Sequence, residues 1–244
     1  MRAALIALML MIGSQARAEC SKLCYFFWWM TATEAEVQAE LDAGADVMAR
    51  KEGGKTPLHW AAQFGKPANI QALLAAGADV MARDEYGTTP LHFADTPANI
   101  QALIAVGADV MAQTKNGITP LYIVAQSVKP TNIQTLLAAG ADVMARTEDG
   151  WTPLHIAALY GTPAMLQALL DAGADVMART ESGWTPLHAA AGLGTPANIQ
   201  ALLDAGADAK AKDKEGKTPW DNAQKNDLLK GTKGYWALSD AQYN

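Results

Sequence analysis

The chain has 244 residues, enough for one or two compact domains or a single elongated array of repeats. Half of them are apolar, which excludes global disorder and permits a continuous core. Nineteen basic side chains stand against 25 acidic ones with no basic cluster, which argues against nucleic acid or an anionic membrane surface as the main partner.

Met1-Arg2 supplies one positive charge, Ala3 to Gly13 is an uncharged apolar run, and Ser14 to Ala18 ends in Ala16-Arg17-Ala18. This is the layout of a secretory signal peptide, residues 1–18, cut after Ala18. The run is only about half of the roughly 20 residues a spanning helix needs. No later stretch is longer, so the mature chain is expected to lack a membrane span and to be periplasmic or secreted. Cys20 and Cys24 are the only cysteines, and in an exported chain an even pair is most simply a disulfide. Metal binding by the pair is the weaker reading, because two tetrahedral positions would stay unfilled. Tyr25 to Met30 (YFFWWM) is too apolar to be left in solvent and is expected to form a helix packed on segment 51–83. Thr33 and Glu36 have capping-box spacing, and Glu34 to Ala43 reads as a helix stopped by Gly44.

From there the chain repeats itself. Thr-Pro-Leu recurs at Thr56, Thr89, Thr119, Thr152 and Thr185, with a Thr-Pro-Trp variant at Thr218, at intervals of 33, 30, 33, 33 and 33 residues. Gly-Ala-Asp, beginning at Gly44, Gly77, Gly107, Gly140, Gly173 and Gly206, keeps the same intervals. In each unit Thr-Pro opens a short helix, because proline is tolerated in the first turn. The Gly161 type of position is expected to reverse the chain through a positive φ. A second helix comes next with leucines at helical spacing, as at Leu166, Leu169 and Leu170, and the next glycine stops it. A helix pair this small buries its apolar face only by stacking on its neighbours.

The TPLHxAA…G…LL…GADV pattern resembles the ankyrin repeat. The resemblance implies an all-α solenoid of stacked helix pairs joined by β-hairpin-like loops, with five repeats at 51–83, 84–113, 114–146, 147–179 and 180–212. Residues 19–50 then form an N-terminal capping unit and 213–244 a C-terminal capping repeat and tail. The cysteine-bearing start and this tail resemble those of exported bacterial ankyrin proteins. Two units depart from the pattern. The segment 84–113 is three residues short, and in 114–146 Tyr122 replaces histidine and Val128 replaces the reversing glycine. The stack between residues 84 and 130 is therefore expected to be its least regular part.

His59, His92, His155 and His188 share one motif position, and the resemblance implies that each bonds within its own hairpin and helix start. Repeats stack about 8–10 Å apart, whereas zinc ligands converge to about 2 Å from one ion. A histidine ladder is therefore not a metal site, and no histidine is left as a general base. Hydrolase, phosphate-loop, zinc-protease and dinucleotide motifs are absent from the sequence. Asp46, Asp79, Asp109, Asp142, Asp175 and Asp208 recur once per unit as turn residues. No enzyme, cofactor or bound metal is expected.

Met48, Met81, Met111, Met144 and Met177 come after Gly-Ala-Asp-Val, where the family typically places an asparagine that pairs with loop backbone. Methionine is not expected to do so equivalently. Packing between loops, simple copying of the unit, a soft binding strip and copper ligation are the open readings. Oxidation is chemically possible in an exported chain, without a positive sign in the sequence. Binding specificity is expected where the repeats differ. The family's hairpin tips and inward first-helix positions carry Ile118, Trp151, Trp184, Phe64, Leu159, Tyr160 and Leu193, with Tyr86 near a tip. A monomeric, non-catalytic module binding a protein partner through these residues is the leading expectation. A binder of a small ligand or soft metal through the methionines or cysteines is the rival, and export to a host target is a third possibility.

Overall fold

A computed structural model describes residues 21–127 and 129–243. The leader, the cut after Ala18, Cys20 and Val128 lie outside the described residues. A 3₁₀ turn at Lys22–Cys24 leads into α1 (Phe26–Trp29) and α2 (Glu34–Asp42). Five pairs succeed them: α3 (Pro57–Phe64) with α4 (Pro67–Ala75), α5 (Pro90–Phe93) with α6 (Pro97–Ile104), and α7 (Pro120–Val124) with α8 (Pro130–Ala138). Then come α9 (Pro153–Tyr160) with α10 (Pro163–Asp171) and α11 (Pro186–Leu193) with α12 (Pro196–Asp204), before α13 (Pro219–Ala223) and α14 (Lys233–Tyr243). The odd-numbered helices stack in one row and the even-numbered ones in a second. The hairpin-like loops close through bonds such as Thr147 N–H to the Trp151 carbonyl at 3.0 Å. Among the described residues the only bridge of β type joins Lys51 and Lys55.

The helices start where the sequence places Thr-Pro, with the threonine extended and proline in the first turn. Three ribs of fully buried side chains run through the stack. Leu58, Leu91, Leu121, Leu154 and Leu187 come from the first helices. Ile70, Ile100, Ile133, Leu166 and Ile199, then Leu73, Leu103, Leu136, Leu169 and Leu202, come from the second. Truncating one such leucine to alanine removes about 2–5 kcal/mol. The second-row helices are nearly uniform, at eight or nine residues from α2 to α12. The first row is not: α5 has four residues and α7 five, against eight in α3, α9 and α11. The three-residue deletion thus shortens one row only.

Two expectations are corrected. Gly65, Gly161 and Gly194 do not take positive φ but sit extended, at −78°, −80° and −78°. They are glycine because the chain doubles back too closely for a side chain. A Cβ at Gly161 would lie 2.7 Å from the Ala157 carbonyl oxygen, and one at Gly194 only 2.4 Å from that of Ala158. Crowding, and not left-handed strain, is therefore what a larger residue meets at these two positions. The aromatic start is also only partly covered. Trp29 is buried and Phe26 packs 5.9 Å from Trp60, but Phe27 is 74% and Met30 60% exposed.

The ends differ from the interior. Thr33 and Glu36 form a full capping box, as their spacing predicts. At the last Thr-Pro, Asp221 replaces histidine and accepts the Thr218 N–H at 2.7 Å. Among the described residues that follow, α14 packs there in place of another Thr-Pro unit.

Candidate functional site

Four families of polar side chain tie each repeat to the next. The Thr56 N–H donates to Nδ1 of His59 at 3.1 Å, so the imidazole carries its proton on Nε2 and donates it to the Thr88 carbonyl at 3.0 Å. His92, His155 and His188 reach Ile118, Trp184 and Lys217 in the same way. The histidines therefore do more than the expected local bonding, since each spans a repeat junction. Burial pushes all four downward in pKa, His92 and His155 to about 4.

Arginine supplies the second tie. Arg50, Arg83 and Arg179 each donate to their own hairpin and to the next one, and Arg146 reaches the Arg179 carbonyl. Asparagine supplies the third from the second row. Asn69 reaches Ala32, Asn99 reaches Ala62 and Gly65, Asn132 reaches Asp95, and Asn198 reaches Ala158 and Gly161. The fourth is methionine. The sulfurs of Met48, Met81, Met111, Met144 and Met177 accept the backbone N–H of Asp79, Asp109, Asp142, Asp175 and Asp208. Methionine does pair with loop backbone here, contrary to expectation. A soft metal on this strip would have to displace those donors.

Three of the four ties fail together at one place. Between the α7–α8 pair and the α9–α10 pair, Gln113 stands where arginine would be, Tyr122 where histidine would be, and Met165 where asparagine would be. Among the described residues none of these three side chains bonds across the junction. Met165 is fully buried and packs apolar against its neighbours. Among the described residues, the Asp142 N–H to Met111 sulfur contact and the Glu148 N–H to Asn116 carbonyl bond still hold the loops there.

From this junction across the next, a groove of ≈ 490 Å³ opens on the first row, lined by Tyr122, Gln126, Trp151, Ile156, Leu159, Tyr160, Trp184 and Leu193. The two indoles lie 6.2 Å apart. Each also covers its own motif histidine, Trp151 edge-on to His155 at 5.5 Å and Trp184 stacked on His188 at 6.3 Å. Neither indole N–H donates a hydrogen bond within the described residues. Tyr160 and Leu193 stand out at 56% and 70% exposure, while Leu159 and Ile156 form the buried floor. Burial first, then the nearby Tyr160 and Asp149, push the Tyr122 phenol up to about 12, so it stays a neutral donor.

The structure thus brings Trp151, Leu159, Tyr160, Trp184 and Leu193 into one groove and leaves three candidates outside it. Phe64 packs 5.5 Å from Phe26 at the N-terminal end, and exposed Tyr86 sits beside Gly53. Ile118 lies on the preceding hairpin, where its carbonyl takes His92. Tyr122, Gln126 and Ile156 complete the groove without having been picked out as binding residues. Tyr122 carried a signal, as the break in the histidine series inside the stack.

Two other depressions are of different character. One, of ≈ 460 Å³, lies among Arg50, Glu52, Arg83 and Glu85 on the hairpin tips. Another, of ≈ 340 Å³, fills the space of the missing helical turn beside Phe93, Asp95 and Asn132. Among the described residues no three His, Cys, Asp or Glu side chains are grouped to hold a metal ion, and no helix is long and apolar enough to cross a membrane.

Helix pairs stacked in two rows, laced by backbone-directed side chains and open along one face, define a repeat solenoid. Ankyrin-repeat models match residues 40–94 (ankyrin repeats, many copies), 95–180 (ankyrin repeats, three copies) and 182–214 (ankyrin repeat). The chain belongs to the ankyrin-repeat family. Ankyrin repeats are generally protein–protein interaction modules, and proteins built from them are typically non-catalytic. No curated protein matches the chain.

Proposed function

We propose that this chain is an exported, non-catalytic ankyrin module that holds a protein partner on its concave face, in the groove between Tyr122 and Leu193. The observation that carries this reading is the Trp151–Trp184 pair. Two large rings whose N–H groups make no hydrogen bond within the described residues border a groove that runs on to Tyr122, at the junction where the stack has given up three of its lateral ties. Aromatic anchors with a polar tip are what interface hot spots are made of. Asp149 acts on Tyr122 electrostatically, and Glu148 and Glu181 stand exposed on the adjoining tips, so a partner with a basic rim is favoured. A non-catalytic role is supported by the four histidines, whose two ring nitrogens are both engaged.

Export rests on the leader, Met1 to Ala18, and on the Cys20/Cys24 pair, which we assign as a disulfide formed in an oxidising compartment. The five-repeat division between two capping units, and a monomeric state, belong to the same proposal.

The test is a crosslinking pull-down from an envelope extract with the chain from Glu19 to Asn244, beside a folded Trp151→Ala/Trp184→Ala variant. A discrete protein retained by the native chain and lost by the variant supports both role and face. Retention by both chains moves the site away from the groove. Failure of the native chain to retain any protein counts against a protein partner in that compartment.

A further inference from the structure

We propose that Met48, Met81, Met111, Met144 and Met177 form a site of reversible oxidative modification, at which a peroxide converts the thioethers to sulfoxides and uncouples neighbouring repeats. The five sulfurs take the N–H of the next loop's aspartate at 3.3, 3.3, 3.1, 3.2 and 3.3 Å. Within each loop the aspartate carboxylate accepts the adjacent methionine's N–H at 2.8 Å. Sulfur, aspartate and methionine thus alternate along the edge of the stack as one ladder. Of the four side-chain ties, it alone is kept at the junction that has lost the other three.

The sulfurs are also within reach of solvent. All five methionines are half-buried, whereas Met165, in the core, is fully buried. The reaction needs only the peroxide. A sulfur lone pair attacks one peroxide oxygen, the O–O bond breaks, an S–O bond forms, and the second oxygen leaves as water with the transferred proton. Sulfur loses two electrons and the peroxide gains them. The product is a polar, chiral group in place of a soft apolar one, and reductases specific for each epimer restore it. With the donor nitrogen already in contact with sulfur, the added oxygen has no place between them. Either the bond is lost or the oxygen takes the N–H and pushes the loops apart. Stability in such an array is a sum over neighbouring interfaces, so five modified junctions act cumulatively.

The experiment titrates the purified chain with hydrogen peroxide, maps sulfoxides by peptide mass spectrometry and monitors melting by circular dichroism. Exposed Met30, which makes no lateral bond, reports oxidation without structural effect. The expected result is oxidation of Met30 and the five ladder methionines before Met165, with Tm falling by roughly 2–4 °C for each ladder sulfoxide. Treatment with both sulfoxide reductases returns Tm to its starting value. A variant with all five changed to leucine keeps its Tm in peroxide. The proposal is overturned if Tm is unmoved with all five sites oxidised, if Met165 reacts first, or if the leucine variant loses the same Tm. The unmutated chain decides the matter alone should that variant fail to fold.

Discussion

The junction between the α9–α10 and α11–α12 pairs and the junction before it, between α7–α8 and α9–α10, share the same leucine ribs but not the same fastenings. In the first, His155 bonds the Trp184 carbonyl, Arg146 bonds the Arg179 carbonyl, and Asn198 holds the Ala158 and Gly161 carbonyls. In the second the corresponding side chains are Tyr122, Gln113 and Met165, and α7 is three residues shorter than α9. Both keep the methionine contact, Met144 with Asp175 in the first and Met111 with Asp142 in the second. The apolar core therefore suffices to hold a register, and the polar ties set how tightly it is held. Aromatic side chains line an open face that begins at the released junction and continues across the tied one. Holding the stack together and lining the groove fall to different side chains.

The comparison is broken most strongly by making the tied junction resemble the open one. His155→Ala with Asn198→Ala strands the Thr152 N–H and several buried carbonyls, each costing about 1–3 kcal/mol. Urea unfolding is expected to show a loss on the order of 4 kcal/mol. The same pair of changes at Tyr122 and Met165, which make no such bonds, is expected to cost less in polar terms and to act through lost packing.

Acid reaches the same ties. His92 and His155 titrate near 4 when folded, against an ordinary histidine value near 6.5 when unfolded. Above that ordinary value both states are neutral and stability is level. Between it and about 4 the unfolded chain binds protons that the folded chain refuses, so stability falls with pH by about 1.4 kcal/mol per unit for each such histidine. Chemical denaturation at a series of pH values reads this slope. Hydrogen-exchange protection of the Thr89 and Thr152 amides, which donate to those rings, taken relative to the intrinsic exchange rate at each pH, is expected to fall over the same range.

The smallest change runs the other way. Gln113→Arg with Tyr122→His supplies the open junction with two of its missing ties, worth roughly 0.5–1.5 kcal/mol each. The midpoint in urea should rise with its slope unchanged, while retention of the partner in the groove falls because Tyr122 is gone from the wall.

The fold was legible because Thr-Pro-Leu and Gly-Ala-Asp mark the start of one helix and the stop of another in a single register. The groove was half legible. Trp151, Tyr160 and Trp184 differ between otherwise copied units, which is how recognition residues announce themselves. Phe64 and Tyr86 satisfy the same rule yet sit elsewhere, since variation does not say which tips face one another. Gln113, Tyr122 and Met165 each read as a minor departure in a different part of the pattern, and only the stacking puts them at one interface. Gly161 and Gly194 were marked as special for the wrong reason, because the presence of glycine does not distinguish a positive φ from a close approach. The methionine bonds were missed because a thioether is a weak acceptor on its own, and the ladder exists only when the next loop supplies the donor.

The side-chain ties in this molecule join residues separated by modest stretches of chain, from 26 for His92 to Ile118 up to 41 for Asn198 to Ala157. Low contact order of this kind permits fast folding from a local start, with growth outward from whichever neighbouring pairs assemble first. The α9–α12 block, with its full set of ties and its two eight-residue first helices, is the natural nucleus. Growth toward the C-terminal cap meets Asn226 and Asp221, whereas growth toward the N-terminus must first cross the junction at Tyr122. The released ties are thus expected to act in time as well as in space, with that junction the last to close on assembly and the first to part on unfolding.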